Sequence, residues 1–347
     1  MGENKMLCAL IMAGGKGTRF WPKSTEEMPK QFLNLIDEKT MIQLTYERLL
    51  KIIPSENIFV VTGEKYKKLV EEQLDTLPTR NIIVEPTGRN TAPCILLACM
   101  YIKQIYDDAT IAVLPSDHAI GNNDEFCRIL QMGENYVENE NKNAIITIGI
   151  TPNRPETGYG YIKFEKSQDN VIKVERFVEK PDLETAKKYL ADGNYLWNAG
   201  MFIFNAEKML NELEENYSGY GVLKQLPKIN DKDYYEKLNR LYPECESISI
   251  DYAVMEKSKN IYVIPGDFGW DDIGTWMSLL RYLKSDENGN YLKGNVISYD
   301  SKENIVYAGE KKIILLNVED IFCIDADGVL VIGNREKLKE VHELRNK

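Results

Sequence analysis

The residues best suited to chemistry begin just after the first apolar run. Ala13-Gly14-Gly15-Lys16-Gly17-Thr18-Arg19-Phe20-Trp21-Pro22 is followed at short range by Pro29-Lys30-Gln31-Phe32. Three glycines after a buried strand let backbone amides approach a polyphosphate closely. Arg19 can take phosphate oxygens with both arms of its guanidinium, and Lys30 can add a point charge. Far along the chain stand two aspartates in special settings: Asp117, in Leu114-Pro115-Ser116-Asp117-His118, and Asp272, in Gly269-Trp270-Asp271-Asp272-Ile273-Gly274-Thr275-Trp276. Magnesium is a hard ion that takes a carboxylate or two and fills its other positions with phosphate oxygens and water. Asp271 competes with Asp272 on position alone.

Two other phosphate motifs overlap the glycine loop and fail in detail. Gly15-Lys16-Gly17-Thr18 looks like a P-loop fragment, but that motif needs Ser or Thr directly after Gly-Lys, and Gly17 intervenes. Gly15-x-Gly17 opens a dinucleotide fingerprint, but Phe20 stands where the third glycine belongs, despite Asp37 downstream. A glycine-rich turn with no ligand is the plain alternative.

The elements that must position these residues follow from the hydrophobic pattern. Residues 6–13, 58–62, 81–84, 110–114 and 144–149 read as short buried strands. Segments 41–53, 66–77, 92–106 and 124–139 read as helices between them, with Asn90 or Thr91 capping the third. Such alternation implies an α/β fold, a mostly parallel Rossmann-like sheet sandwiched by helices. Asp117 then lies past the carboxyl end of a strand, where open α/β sheets bind ligands. Further strands are expected at 160–164, 171–178, 197–204 and 261–265, and a helix at 183–192. From about 286 short strand-like runs take over, at 295–299, 305–307, 312–316, 321–324 and 329–332, before a closing helix at 336–344. The expected domains are 1–285 and 286–347.

Composition narrows the function classes. The 347 residues carry a formal net charge of −11, which argues against nonspecific nucleic-acid binding, since that needs a basic face. No apolar run approaches the ~20 residues of a membrane span. The start, MGENKMLCALIMAGG, reads as a first strand and not as a signal peptide. Six scattered cysteines without a CxxC pair suit a reducing cytoplasm, and two histidines cannot build a multi-histidine metal centre.

The longer pattern AGGxGTRxWPxS…PKQF resembles the sugar nucleotidyltransferases, and within them the mannose 1-phosphate guanylyltransferase branch, in its short form without an isomerase domain. The resemblance runs through nearly the whole chain. It includes Glu85-Pro86-Thr87-Gly88-Arg89-Asn90-Thr91-Ala92-Pro93, Pro155–Ile162, Phe177-Val178-Glu179-Lys180-Pro181, Trp197–Phe202, Ser249–Glu256 and Gly269–Trp276. Lys23 and Thr25 depart from it, standing where a leucine and an arginine are usual.

The resemblance implies a GT-A-like catalytic domain, a small left-handed β-helix-like tail and transfer of GMP from GTP to mannose 1-phosphate. The products would be GDP-mannose and pyrophosphate. It selects Asp272 over Asp271, because the aspartate directly precedes the apolar–glycine pair. It gives Gly14, Gly15, Gly17 and Thr18 to the triphosphate, Arg19 to the β and γ phosphates, and Lys30 to the α-phosphate. Asp117 and Asp272 would hold magnesium, Asp117 also touching the nucleotide. Lys180 would hold the sugar phosphate, while Glu179, Asn198 and the Gly160 backbone read sugar hydroxyls. Glu85, Asn90 and local backbone groups share the guanine assignment. His118, Tyr159, Tyr161, Trp197 and Met201 are expected to be structural. A homodimer is left open. The alternatives are UTP or dTTP with glucose 1-phosphate, and a noncatalytic sugar-nucleotide-binding regulatory subunit.

Overall fold

The computed structural model describes residues 6–15 and 17–346. Lys16, the lysine of the P-loop-like fragment, and residues 1–5 of the expected first segment lie outside the described residues. The chain forms two compact units: one is the chain up to Gly14 with Thr45–Asp271, the other is Gly15–Leu44 with Asp272 to the carboxyl terminus.

The first unit is built on nine strands: β1 Met6–Met12, β2 Ile58–Gly63, β3 Ile82–Glu85, β4 Ala109–Pro115, β5 Ile145–Ile150, β6 Tyr161–Phe164, β7 Ile172–Val178, β8 Tyr195–Asn205 and β9 Ile261–Gly266. Their order is β3-β2-β1-β4-β8-β5-β9-β7-β6, with β8 also pairing to β6. β1 to β4 form the parallel half. β8 then runs antiparallel to β4, β5 and β6, so the sheet is mixed, and beyond β8 only β5 and β9 pair in parallel.

Helices cover both faces. Phe202 and Phe204 share an apolar cluster with the buried sides of the helices Thr91–Lys103 and Ala206–Asn216. Ile203 points the other way, since strand side chains alternate, and meets Gly133 of the helix Asn123–Asn135. A methyl group at Gly133 would sit 2.4 Å from the Ile203 Cδ1, so glycine permits this close approach.

The second unit carries β10 Tyr291–Lys293, β11 Val296–Tyr299, β12 Ile305–Tyr307, β13 Ile313–Leu316, β14 Ile321–Ala326 and β15 Val329–Asn334. Tyr291, Ile305 and Phe322 stand side by side in one parallel ladder, and Val296 and Ile313 in a second. Strands one coil apart thus stack in register, the arrangement of a β-helix. Corners fall at Asp300, Glu303, Asn317 and Asp320, all with φ near +50°. Asp and Asn enter this region more readily than most side chains. Asn290 and Asn304 are fully buried and bonded in line: the Asn304 amide nitrogens donate to Asn290 Oδ1, and Ile321 N donates to Asn304 Oδ1. Asp327 and Gly328, both at positive φ, form a two-residue turn that reverses the chain, so β15 lies antiparallel to β14. Such turns favour Asp-Gly because both central residues need positive φ.

Residues 15–44 and 272–285 pack with these strands, although they precede the change of composition at about 286. Trp276 is the pivot. Its ring lies 5.4 Å from that of Phe20 and 5.6 Å from that of Tyr307, and its Nε1–H donates to the Trp21 carbonyl at 3.0 Å.

Candidate active site

In the second unit the glycine loop wraps around Lys30. Gly17 has φ of +53°, and its carbonyl accepts from Lys30 N at 3.3 Å. The Gln31 side chain donates to the Gly15 carbonyl at 2.9 Å, holding the loop from below. Lys30 is almost fully buried, and its Nζ donates to the backbone carbonyl of Asp272 at 2.5 Å. Ile273 follows at φ of +42°, an unusual backbone for a β-branched residue, with its side chain fully buried. A side chain at Gly274 would lie 3.0 Å from Asp272 Oδ2 and 3.4 Å from Arg19 Nη1. Arg19, Lys30 and Asp272 are therefore gathered around Gly274 and the loop.

A side chain at Gly17 would sit 2.5 Å from Lys30 N. Left-handed backbone also costs an ordinary residue about 1–2 kcal/mol. Gly17→Ala is expected to lower the melting temperature and raise KM for the nucleotide about tenfold. Thermal melts and nucleotide saturation curves at wild-type values would show that the loop does not depend on this glycine.

Lys23 departs from the family pattern, and the structure explains it. Its ammonium donates to the Tyr307 hydroxyl and lies 4.5 Å above that ring. Burial, aided by the nearby Lys293 charge, pushes its pKa down to about 8. This lysine ties the loop segment to β12.

In the first unit, β6 fixes the other group through its register. Tyr161 pairs with Val178 on β7 and with Trp197 on β8. The next residue along each strand is Gly160, Glu179 and Asn198, so these three converge. A side chain on Gly160 would lie 2.5 Å from Glu179 Oε2 and 3.3 Å from Asn198 Cβ. Asn198 N donates to the Gly160 carbonyl at 2.8 Å. Lys180 pairs with Glu179 at 2.7 Å and keeps its head largely in solvent. Burial alone would lower the Lys180 pKa, but Glu179 and Asp251 together hold it above the ordinary lysine value.

An irregularity on β8 directs the Asn198 side chain. The β5–β8 register shifts between Thr147 and Gly149, and Gly200 takes φ of +67°. Asn198 Oδ1 then accepts from Thr147 Oγ1 at 2.9 Å and Gly200 N at 3.0 Å, and its Nδ2 donates to Asp251 Oδ1 at 3.0 Å. Asp251 carries no individual role from sequence reasoning. Its position within Ser249–Glu256 was the only signal that could have found it.

Glu85, at the end of β3, is buried. Tyr242 donates its hydroxyl to Glu85 Oε1, and Oε2 would lie 2.8 Å from a side chain on Gly14. Burial pushes the Glu85 pKa up to about 7 against the opposing hydrogen bond from Tyr242. Asn90 is the helix cap, its side chain accepting from Thr91 N. The next amide, Ala92 N, donates to the Ile248 carbonyl at 3.1 Å, so protein groups occupy this helix start.

Asp117 lies two residues beyond β4. The backbone around it is pinned on both sides, by Ser116 N to the Met12 carbonyl and by paired bonds between Ala119 and Asp271. His118 Nδ1 accepts from Trp270 Nε1–H at 3.0 Å, which fits a structural role and puts its own ring proton on Nε2 in the neutral form. Trp270 also meets Tyr159, which meets Trp197, edge to face at 5.2 and 5.3 Å. Tyr161, Trp197 and Met201 are buried, as packing residues should be.

Among the described residues no three His, Cys, Asp or Glu side chains gather to hold a metal ion by themselves. Asp117 in the first unit and Asp272 in the second each offer a carboxylate, the donor type that suits a hard ion such as magnesium.

The first unit thus brings Gly160, Glu179 and Asn198 together on a mixed sheet, and the second gathers Arg19, Lys30 and Asp272. The chain belongs to the nucleotidyl transferase family, whose model matches residues 8–289. It is 38% identical over 347 residues to the mannose-1-phosphate guanylyltransferase of Klebsiella pneumoniae, covering 97% of this chain and 72% of that one. It is 39% identical over 340 residues to the xanthan biosynthesis protein XanB of Xanthomonas campestris, covering 96% of this chain and 72% of that one. A crystal structure described as mannose-1-phosphate geranyltransferase from Thermus thermophilus matches with a TM-score of 0.86 and 30% identity, covering 98% of each chain.

Proposed function

We propose that this protein transfers GMP from GTP to α-D-mannose 1-phosphate, giving GDP-mannose and pyrophosphate. The observation that carries the reading is the gathering of Arg19, Lys30 and Asp272 around Gly274 and the glycine loop. The guanylyltransferase relatives supply the choice of base and sugar.

An oxygen of the sugar phosphate attacks the α-phosphorus in line, and the bond to the bridging oxygen of pyrophosphate breaks. The nucleophile is already an anion, so no base is required. The obstacle is repulsion between two polyanions, about 1 kcal/mol per pair of unit charges at 4 Å in water and several-fold more at lower dielectric. Positioning and charge neutralisation therefore carry the rate. The amides of Gly14, Gly15, Gly17 and Thr18 hold the triphosphate, Arg19 stabilises the leaving pyrophosphate, and Lys30 offsets charge near the α-phosphorus. Lys180 holds the sugar phosphate, with Glu179, Asn198 and the Gly160 backbone along the sugar. Asp117 and Asp272 are the carboxylates that would hold magnesium, which would supply charge neutralisation for the phosphates. Glu85 and Asn90 belong to the base side. Because Tyr242 occupies one Glu85 oxygen, we assign Glu85 a single acceptor there.

The chemistry is assigned to residues 1–285, with 286–347 as the tail. Among the described residues no helix is long and apolar enough to cross a membrane. We place the reaction in the cytoplasm, a reading supported by six free, buried cysteines. A homodimer is the assembly we favour, supported by Ile297, Tyr299, Ile314 and Leu316, which form an exposed apolar face on β11 and β13.

Pyrophosphate release should be measured with GTP, UTP and dTTP against mannose 1-phosphate and glucose 1-phosphate. GTP with mannose 1-phosphate should give the highest kcat/KM. A preference for UTP or dTTP with glucose 1-phosphate would overturn the substrate pair.

A further inference from the structure

Resting on that functional reading, we propose that Asp251 is a specificity-determining positioning residue for the sugar phosphate, fixing the Asn198 amide and setting the charge beside Glu179 and Lys180. Asn198 Oδ1 is already committed to Thr147 and Gly200, so the side chain cannot flip without breaking both bonds. Its Nδ2 spends one of two hydrogens on Asp251. The second hydrogen is thereby aimed, and Asp251 is what aims it. Asn198 and Glu179 flank Gly160, where any added side chain would collide with Glu179. A sugar edge laid along Gly160 would meet an acceptor on one side and an oriented donor on the other. That pairing can separate an axial from an equatorial hydroxyl, because a buried polar group left unmatched costs about 1–3 kcal/mol.

The same residue sets local charge. Asp251 is faced by Glu179 and Lys180 beyond β7 and by Asn198 on β8, with Ser249 and Tyr252 on its own segment. Glu256 caps the Glu179 amide nearby. Burial first, and then the Glu179 charge, pushes the Asp251 pKa up to about 7. Below that value Asp251 is neutral and Glu179 is balanced by Lys180. Above it a second carboxylate appears beside Lys180 and opposes a sugar phosphate dianion. The sign follows: KM for the sugar phosphate should rise as pH rises through 7.

Two variants separate the roles. Asp251→Asn keeps an acceptor for Asn198 and removes the titration. Asp251→Ala removes both. Full-chain enzymes would be compared by KM and kcat for mannose 1-phosphate, glucose 1-phosphate and GTP, from about pH 6 to about pH 8.5. In Asp251→Ala, KM for mannose 1-phosphate should rise about tenfold and the mannose-to-glucose ratio of kcat/KM should fall about tenfold, with KM for GTP unchanged. In Asp251→Asn, the rise of KM with pH should flatten relative to wild type. If Asp251→Ala does not fold, the Asp251→Asn pH profile decides alone. Wild-type sugar ratios and pH profiles in the folded variants would overturn the proposal. A wild-type enzyme that releases no pyrophosphate with any sugar phosphate would overturn the functional reading and, with it, this one.

Discussion

Replacing Lys30 with methionine should reduce kcat by about two to three orders of magnitude, the usual cost of removing one preorganised charge from a transition state. Methionine keeps most of the alkyl volume, and that matters because Lys30 is only 5% exposed. The ammonium is not free to wander: its Nζ is held on the Asp272 carbonyl, and its backbone nitrogen is held on Gly17. A cation fixed before the reaction needs no reorganisation as charge develops. Arginine should not rescue, since its planar fork cannot occupy a site shaped for a compact ammonium. The Asp272 carbonyl loses a donor in the methionine variant, so some stability will be lost as well, about 1–3 kcal/mol. Thermal melting and single-turnover rates together separate the two effects. A folded Lys30→Met enzyme within tenfold of wild-type turnover would remove Lys30 from the chemistry.

Asp117→Asn should be comparably damaging by another route. The exchange is isosteric, and the backbone on both sides of Asp117 is held by bonds that do not involve its side chain. The fold should therefore persist while the carboxylate charge is lost. The expected result is a fall in kcat of about 10²–10³ and a higher magnesium requirement. Calorimetric titration of magnesium in the presence of GTP would read the second effect independently of turnover. Near-normal activity with unaltered magnesium binding would show that Asp117 is a turn residue only.

Most strands were legible because a buried parallel strand is a short apolar run. Met6–Met12, Ile58–Gly63 and Ala109–Pro115 come within a residue or two of the expected bounds. The entry of antiparallel β8 between β4 and β5 was not legible, because pairing direction depends on long-range topology and leaves no local trace. The glycine loop, Arg19 and Lys30 stood out as dense local spacing. Asp251 did not, since its meaning comes from Asn198 and Glu179, which lie 53 and 72 residues earlier in the chain. The burial of Glu85 was not legible for a related reason: only the fold supplies Tyr242, 157 residues away, to take in a charged strand-end residue. Lys23 was visible as a departure, but its purpose needed Tyr307, 284 residues away.

The reversal at Asp327-Gly328 has a consequence for the tail as an array. Stacked parallel coils form a nearly one-dimensional solid in which each rung templates the next. An unfinished end invites another chain to continue the pattern. By folding β15 back along β14, the hairpin occupies the edge of that ladder on which the next parallel rung would otherwise be laid.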